Sequence, residues 1–342
     1  FFLLLFFLTI CLKTFPKEEE VAFLPASSSS SLLVNQDSTI VLQFHRIEKA
    51  YKNKNFDSAL KNAFDLLDSA RLKDREIYLK TNYLIGNIFY ETASFKDGLK
   101  YFKTNTTNIL ADSIHKELQG SKFDGNLLLA QNYLRLGSSY HRLSERDSLK
   151  VYKDSALFFY NKVLKFSDYH NVIRDTKARV YSNLAVFYIN DSLYDLAENY
   201  AKKALGIHKL NNNTINQASV LGNLASIYLL KEDYGKAKKT YLEALDLIEY
   251  DKSPKAIRFK TRLYGNLSWS MYKMKDYKAY EFQEFSYEIK DELRDNEFRG
   301  LVKKINAENN FDLGKELGIK QEEVKRLKQE AKNNARIRFG MY

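Results

Sequence analysis

Three asparagines in the same sequence context offer the clearest candidate chemistry in the chain. Asn183, Asn223 and Asn266 each precede a leucine and then a small residue, so one short triplet occurs three times. A side-chain amide carries both hydrogen-bond donors and an acceptor, which is the set needed to match a peptide group. The chemistry that these residues suggest is hydrogen-bonded recognition.

Two cations accompany these asparagines. Arg179, Ser219 and Arg262 stand four residues before Asn183, Asn223 and Asn266 in turn. On a helix, residues four apart share a face. Two of the three side chains are guanidinium groups, and these suit an acidic side chain or a carboxylate terminus because they can form charge-assisted hydrogen bonds with it.

Local signatures of catalysis are missing from the sequence. The five histidines do not have metal-binding spacing, and there is neither a nucleophile elbow nor a glycine-rich phosphate loop; the histidines are His45, His115, His141, His170 and His208. The single cysteine, Cys11, lies in an apolar N-terminal run. The sequence therefore predicts no enzyme, no metal and no cofactor, although distant residues could still assemble a triad.

Composition favours helices. The chain has 342 residues, 44% of them hydrophobic and 14% aromatic, with only 3 Pro and 13 Gly. So few prolines and glycines cannot punctuate a fold rich in strands and loops. The formal net charge is +11, but basic and acidic residues alternate along nearly every segment. Without a basic run or a nucleic-acid-binding motif, we expect no nucleic-acid partner for this segment.

Internal repeats give the fold. The strings SNLAVFYINDSLYDLAENYAKKAL (from Ser182), GNLASIYLLKEDYGKAKKTYLEAL (from Gly222) and GNLSWSMYKMKDYKAYEFQEF (from Gly265) share one pattern. This pattern resembles the tetratricopeptide repeat, in which a small residue marks the crossing of two antiparallel helices. Its first-helix small residues are Gly86, Gly137, Ala185, Ala225 and Ser268, each followed three residues later by Phe89, Tyr140, Tyr188, Tyr228 or Met271. Its second-helix small residues are Ala59, Gly98, Ala156, Ala197 and Ala237.

The copies are longer than the usual repeat. Ala185 and Ala225 are 40 residues apart, and Ala225 and Ser268 are 43 apart, against about 34 for the common form. The spacing resembles the long variants of kinesin light chains and of bacterial peptide-sensing regulators. No copy has the terminal proline of the family, and Tyr280 stands where alanine is expected.

The resemblance implies an all-α fold, a right-handed α-solenoid of about six helix pairs over residues 38–293, followed by a long C-terminal helix. It implies a non-catalytic protein that binds a protein or peptide in its concave groove. In the long-repeat families the triplet asparagine faces that groove, where Trp269 and Tyr272 would add aromatic surface. The alternative is that Asn183, Asn223 and Asn266 bond the neighbouring repeat and hold the stack. We expect other aromatic residues to be core, among them Phe158, Phe159 and Tyr160.

The N-terminal region predicts export. Residues 1–15 read as a signal peptide or membrane anchor whose first residues are missing, and residues 16–37 as a serine-rich linker. The run before Cys11 resembles a bacterial lipobox, but Ile10 is larger than the small residue which that pattern requires. We therefore expect a periplasmic or cell-envelope location with a membrane tether, and lipid on Cys11 is one way to provide it.

The C-terminal region, residues 294–342, reads as a helix or coiled-coil linker. Leu317, Val324 and Ala331 are seven residues apart, which allows dimerisation through this helix. The chain ends in a basic and aromatic cluster of the kind that flanks membrane spans, so we expect a span and an output domain to follow.

Four functions are compatible with these features. The leading one is the extracytoplasmic sensor of a signalling receptor, similar to those of membrane-bound histidine kinases or helix-turn-helix regulators of Bacteroidetes. The alternatives are an anchored lipoprotein that scaffolds complexes, a cytoplasmic adaptor, and an enzyme.

Overall fold

A computed structural model describes residues 37–115 and 124–294, together with four isolated helical positions between 322 and 329. The predicted signal peptide, nearly all of the serine-rich linker and the predicted coiled coil lie outside the described residues. None of the described helices is both long enough and apolar enough to span a membrane.

Most of the chain that the structure describes is helical. The helices are α1 (Asp37–Lys52), α2 (Phe56–Lys73), α3 (Arg75–Glu91), α4 (Phe95–His115), α5 (Gly125–Asp147), α6 (Lys150–Leu164), α7 (Asn171–Asn190), α8 (Tyr194–Leu210), α9 (Thr214–Leu230), α10 (Tyr234–Asp246) and α11 (Pro254–Lys273). A further helix, α12, covers residues 279–294. The chain divides into two compact units, Phe1–Ala279 and Tyr280–Tyr342.

Consecutive helices of the first unit pack as pairs. The pairs are α1 with α2, α3 with α4, α5 with α6, α7 with α8 and α9 with α10, and each first helix also packs on the next pair. The helix α11 begins the sixth repeat. The all-α stack of helix pairs predicted from the repeats is confirmed.

The turn inside each pair depends on one residue in the left-handed region. In six of these turns the residue is not glycine, and its φ is between 53° and 61°; the six are Lys54, Ala93, Ser148, Ser192, Glu232 and Lys275. In the first and fifth pairs the second helix begins with a side-chain cap, as where Asp233 Oδ1 accepts from the Lys236 amide at 3.1 Å. This tight reversal lays the second helix antiparallel to the first.

The predicted small residues lie where the two helices of a pair touch. A Cβ on Gly86 would lie 2.5 Å from the Phe102 ring, and a Cβ on Gly137 would lie 2.6 Å from the Tyr160 ring. On the second helices, Ala59, Ala156, Ala197 and Ala237 have no exposed surface. The structure thus confirms that these positions need small side chains because the backbones approach closely.

Aromatic stacks fill the space beside each crossing. The first-helix aromatic that follows the small residue stacks on an aromatic of its partner helix in three successive pairs. The ring centroids are 5.6 Å apart for Phe89 and Tyr101, 5.8 Å for Tyr140 and Phe159, and 5.5 Å for Tyr188 and Tyr200.

The expectation for Phe158 was wrong. Tyr160 is fully buried and Phe159 packs partly against the core, but Phe158 is 54% exposed. Three consecutive helical residues point in directions about 100° apart, so they cannot all face one core. Phe158 lies instead under the ammonium group of Lys162, 5.3 Å from its ring centroid.

Ion pairs connect neighbouring repeats near the turns. The Lys231 ammonium, beside the turn of the fifth pair, lies 2.7 Å from Asp195 and 3.0 Å from Glu198 on α8. Lys238 on α10 reaches Asp276 in the next turn at 2.7 Å. These contacts repeat at the same edge of the stack and fix each pair to the next.

Candidate ligand-binding groove

The first helices of successive pairs carry equivalent positions on one side of the stack, some of them buried and some at the surface. One row of such positions lies two residues before the small residue at each helix crossing. Its members are Leu84, Arg135, Asn183, Asn223 and Asn266. Three residues further along each helix the aligned positions are Asn87, Ser138, Val186, Ser226 and Trp269. Because residues three and four apart share a helix face, both rows belong to the same side of the stack.

A pocket opens on this surface between the third and sixth repeats. It is small and open to solvent, and it is lined by Tyr90, Ser138, His141, Arg142, Tyr160, Asn183, Val186, Ser219, Asn223 and Arg262. Four of the residues singled out in the sequence therefore come together here: Asn183, Ser219, Asn223 and Arg262. The pocket crosses helices α5, α7, α9 and α11, which is the geometry of a groove along a stack.

Asn183 holds two repeats together. Its amide nitrogen donates to Ser138 Oγ on the preceding pair at 3.0 Å, and Asn183, like Asn223, is only 5% exposed. For Asn223 the equivalent residue of the preceding pair is Val186, which has no polar side-chain atom with which to form such a bond. The same sequence triplet thus has two different surroundings.

Arg262 reaches across to the neighbouring helix over a glycine. Its Nη2 lies 3.7 Å from the position that a Cβ on Gly222 would occupy, and its guanidinium carbon lies 5.4 Å from the Phe259 ring centroid. A side chain at Gly222 would also meet Leu263 Cδ2 at 2.8 Å. Because Gly222 has no side chain, α11 can approach α9 closely, and Arg262 on α11 then lies at the pocket.

The charge of the pocket comes from arginines. Arg142 Nη1 donates to Glu145 at 3.0 Å, and Glu145 also accepts from Asn190 of the next pair at 3.1 Å. Burial lowers the pKa of His141 to about 4, so its ring is neutral near pH 7. The guanidinium group of Arg262 also lines the pocket, and such a group can form charge-assisted hydrogen bonds with a carboxylate.

The remaining predicted residues lie apart from the pocket lining. Arg179 is 4% exposed, and Asn266 and Trp269 are half-buried on α11. Trp269 stacks on Tyr272 with ring centroids 5.4 Å apart, and Tyr272 is 56% exposed. These two rings form an aromatic surface on the same helix as Arg262.

Sequence reasoning missed the contribution of the third repeat. Ser138, His141 and Arg142 on α5 all line the pocket. The string RLGSSYHR from Arg135 aligns with NLAVFYIN from Asn183, with the small residue Gly137 in register with Ala185. That alignment would have identified Arg135 as the equivalent of the triplet asparagine. Among the described residues, no three His, Cys, Asp or Glu side chains gather as a metal site.

Comparisons with known proteins agree with this architecture. Residues 176–249 match the family model of the tetratricopeptide repeat. No curated protein sequence matches the chain. The solved structure of BtubC (BKLC) from P. vanneervenii is 17% identical with a TM-score of 0.53, covering 75% of this chain and 92% of that one. Aspartyl phosphate phosphatase F from Bacillus subtilis is 12% identical with a TM-score of 0.50, covering 78% of each chain.

At these identities the solved structures share the fold alone. The repeat match and the stack of helix pairs suggest a non-catalytic, protein-binding role.

Proposed function

We propose that the groove binds an extended segment of a partner protein or peptide, with a carboxylate of that segment beside Arg262. The observation that carries this proposal is the convergence of Asn223, Arg262 and Ser219 with Arg142 in one pocket. An amide beside a guanidinium can pair with a peptide group and with an adjacent acidic group at the same time.

Asn223 is the asparagine best suited to contact a ligand. Its neighbour in the preceding repeat, Val186, also lines the pocket but has no side-chain donor or acceptor. Asn183, by contrast, already donates to Ser138. We therefore assign ligand recognition to Asn223 and stacking of the repeats to Asn183, so that the two readings of the triplet apply to different copies.

The aromatic pair Trp269 and Tyr272 extends the surface beyond the pocket. Both residues lie on α11, seven and ten residues after Arg262, so a bound segment could place a carboxylate at Arg262 and an apolar side chain on these rings. Rigid aromatic surfaces provide much of the binding energy in interfaces because little side-chain entropy is lost on binding.

A peptide array tests the binding proposal. The full chain is applied to random decapeptides, each present with a free C-terminal carboxylate and with an amidated terminus. We expect captured peptides to carry an acidic side chain or a free terminus. Asn223→Ala and Arg262→Met should each weaken the best peptide about tenfold or more, or roughly 1.4 kcal/mol.

Matched controls lie outside the pocket. Asn199 is exposed on α8 and Arg258 is exposed on α11, so Asn199→Ala and Arg258→Met should bind as the unchanged protein does. If all four variants bind a captured peptide equally well, the ligand site lies elsewhere. If the array captures no peptide, the groove does not bind extended peptides.

The cellular setting completes the proposal: the array acts as the ligand-binding part of a sensor in the cell envelope, with an anchored scaffold as the alternative. The apolar composition of residues 1–12 and the serine-rich segment after it support export. An alkaline phosphatase fusion tests it, because that enzyme is active only outside the cytoplasm. An inactive, stable fusion would exclude both settings.

A further inference from the structure

A second polar cluster lies beneath the groove surface, between the second and third repeats. Its centre is Arg135 on α5, which is only 1% exposed. Within the described part of the chain, its Nε and Nη2 have no hydrogen-bond partner. Burying a guanidinium group whose N–H groups lack hydrogen bonds costs roughly several kcal/mol of folding free energy. The structure must therefore contain something that offsets this cost.

Other buried polar atoms without partners surround the same point. Considering the described residues alone, these atoms are the hydroxyl of Tyr83, both amide atoms of Asn87 and Oγ of Ser139. Asn87 and Ser139 have no exposed surface, and Tyr83 is 5% exposed. Native proteins leave few such groups unpaired, and an unseen water or ion is a common reason.

The register of the helices brings these groups together. Ser139 lies one helical turn after Arg135 on the same face of α5. On α3, Asn87 lies between Tyr83 and Tyr90, and the Tyr90 ring centroid is 4.7 Å from the guanidinium carbon of Arg135. The facing helices α3 and α5 pack against each other. The unpaired groups of both helices therefore line one enclosed interface.

The balance of charge at this interface is positive. Burial alone would lower the pKa of Arg135, but Tyr83, Tyr51, Tyr90 and Glu91 act against it, so the guanidinium stays charged. Burial raises the pKa of the Tyr51 hydroxyl, and the charged groups that act on it are Arg135, Glu91 and Arg179. Among the charged groups that act on the Tyr51 hydroxyl, two are guanidinium groups and one is a carboxylate, so positive charge is in excess.

We propose that this cluster is a binding site for one small monovalent anion of the size of chloride or formate. Arg135 Nε and Nη2 and Ser139 Oγ donate to the anion, with the Tyr83 hydroxyl and the Asn87 amide nitrogen completing the donor set. The anion neutralises the excess charge. Because the surrounding side chains are almost fully buried, only a small anion fits. The site is separate from the peptide groove, although Tyr90 borders both.

Thermal unfolding of the full chain tests the proposal. Chloride is titrated up to about 100 mM, with sodium gluconate holding the ionic strength constant because gluconate is too large to enter. We expect the midpoint of unfolding to rise and saturate with chloride, as linkage requires for an anion bound only by the folded state. In Arg135→Met the midpoint should not respond to chloride, whereas in the control Arg258→Met it should respond as in the unchanged protein.

A second measurement covers the case in which Arg135→Met does not fold. The ³⁵Cl resonance should broaden on addition of the unchanged protein, and nitrate should narrow it again by displacement. Two outcomes would overturn the proposal. If the unchanged protein responds neither in its midpoint nor in the ³⁵Cl linewidth, water alone occupies the cluster. If Arg135→Met and the unchanged protein shift equally, the effect is one of general salt.

Discussion

The side-chain amide of Asn183 donates to Oγ of Ser138, 3.0 Å away on the preceding helix pair. This bond lies at the edge of the pocket, whose lining includes both residues. A residue that suits peptide recognition by its chemistry is therefore already used to join the third repeat to the fourth. Its counterpart Asn223 faces Val186 at the equivalent place and remains suited to a ligand.

The two asparagines should respond differently to removal of the amide. Asn183→Ala leaves a buried hydroxyl without its donor, so we expect a loss of about 1–2 kcal/mol in the free energy of unfolding. Asn223→Ala should cost less stability but weaken peptide binding. Urea unfolding measures the first effect, and a double-mutant cycle with Ser138→Ala isolates the pair. Zero coupling between positions 183 and 138 would contradict the assigned bond.

Adding one methyl group at a glycine where two helices cross closely should destabilise the fold. In Gly137→Ala the new Cβ would lie 2.6 Å from the Tyr160 ring. The fully buried ring cannot move away freely, so we expect a loss of about 1–3 kcal/mol in unfolding free energy. The control is Gly206→Ala in α8, where no atom lies within 4 Å of the new Cβ. There we expect the free energy of unfolding to rise by about 0.5–1 kcal/mol, because alanine has a higher helix propensity than glycine. Equal effects at both positions would refute this account.

The sequence predicted the repeats because each position is set by local packing. Gly86, Gly137 and Ala197 lie at helix crossings that tolerate only small residues, so the pattern recurs in most copies and can be recognised in the sequence alone. The pocket could be predicted only in part. Asn223 and Arg262 were found because their copies align well, but Arg142 and His141 belong to a copy that departs from the asparagine pattern.

The hydrogen-bond partner of an individual polar side chain depends on the neighbouring repeat and not on the helix that carries the side chain. Asn183 and Asn223 have nearly the same local sequence, but Ser138 faces one and Val186 the other. Such differences arise between elements, where a pattern within one element holds no information.

The turn at Glu232 offers a stabilising substitution. Its φ is 61°, in the left-handed region where a side chain costs about 1–2 kcal/mol relative to glycine. We expect Glu232→Gly to raise the free energy of unfolding by roughly 0.5–1 kcal/mol, after the added entropy of the unfolded chain is subtracted. Glu243→Gly, at an exposed position within α10, should instead lower it by about 1 kcal/mol. If Glu232→Gly destabilised as much as Glu243→Gly did, the turn would not be strained.

Buried His141 should make stability depend on pH below neutrality. Burial lowers its folded-state pKa from 6.5 to about 4. Above pH 6.5 the His141 ring is neutral in both the folded and the unfolded state, so protonation of this residue does not reduce the stability of the fold. As the pH falls from 6.5 to about 4, His141 becomes protonated in the unfolded state but stays neutral in the folded state. The free energy of unfolding therefore declines by at most about 3 kcal/mol. Urea unfolding at a series of pH values measures this decline.

The variant His141→Gln separates this histidine from other titrating groups. Glutamine keeps a hydrogen-bonding group near Tyr160, whose hydroxyl lies 3.3 Å from Nδ1 of His141, but it does not titrate. We expect the variant to lose most of the decline between pH 6.5 and 4 while retaining the steeper loss at lower pH. That lower loss includes Glu198, whose pKa the bonds to Lys202 and Lys231 hold at about 2. A variant whose profile matched the unchanged protein between pH 6.5 and 4 would show that folding does not lower the pKa of His141.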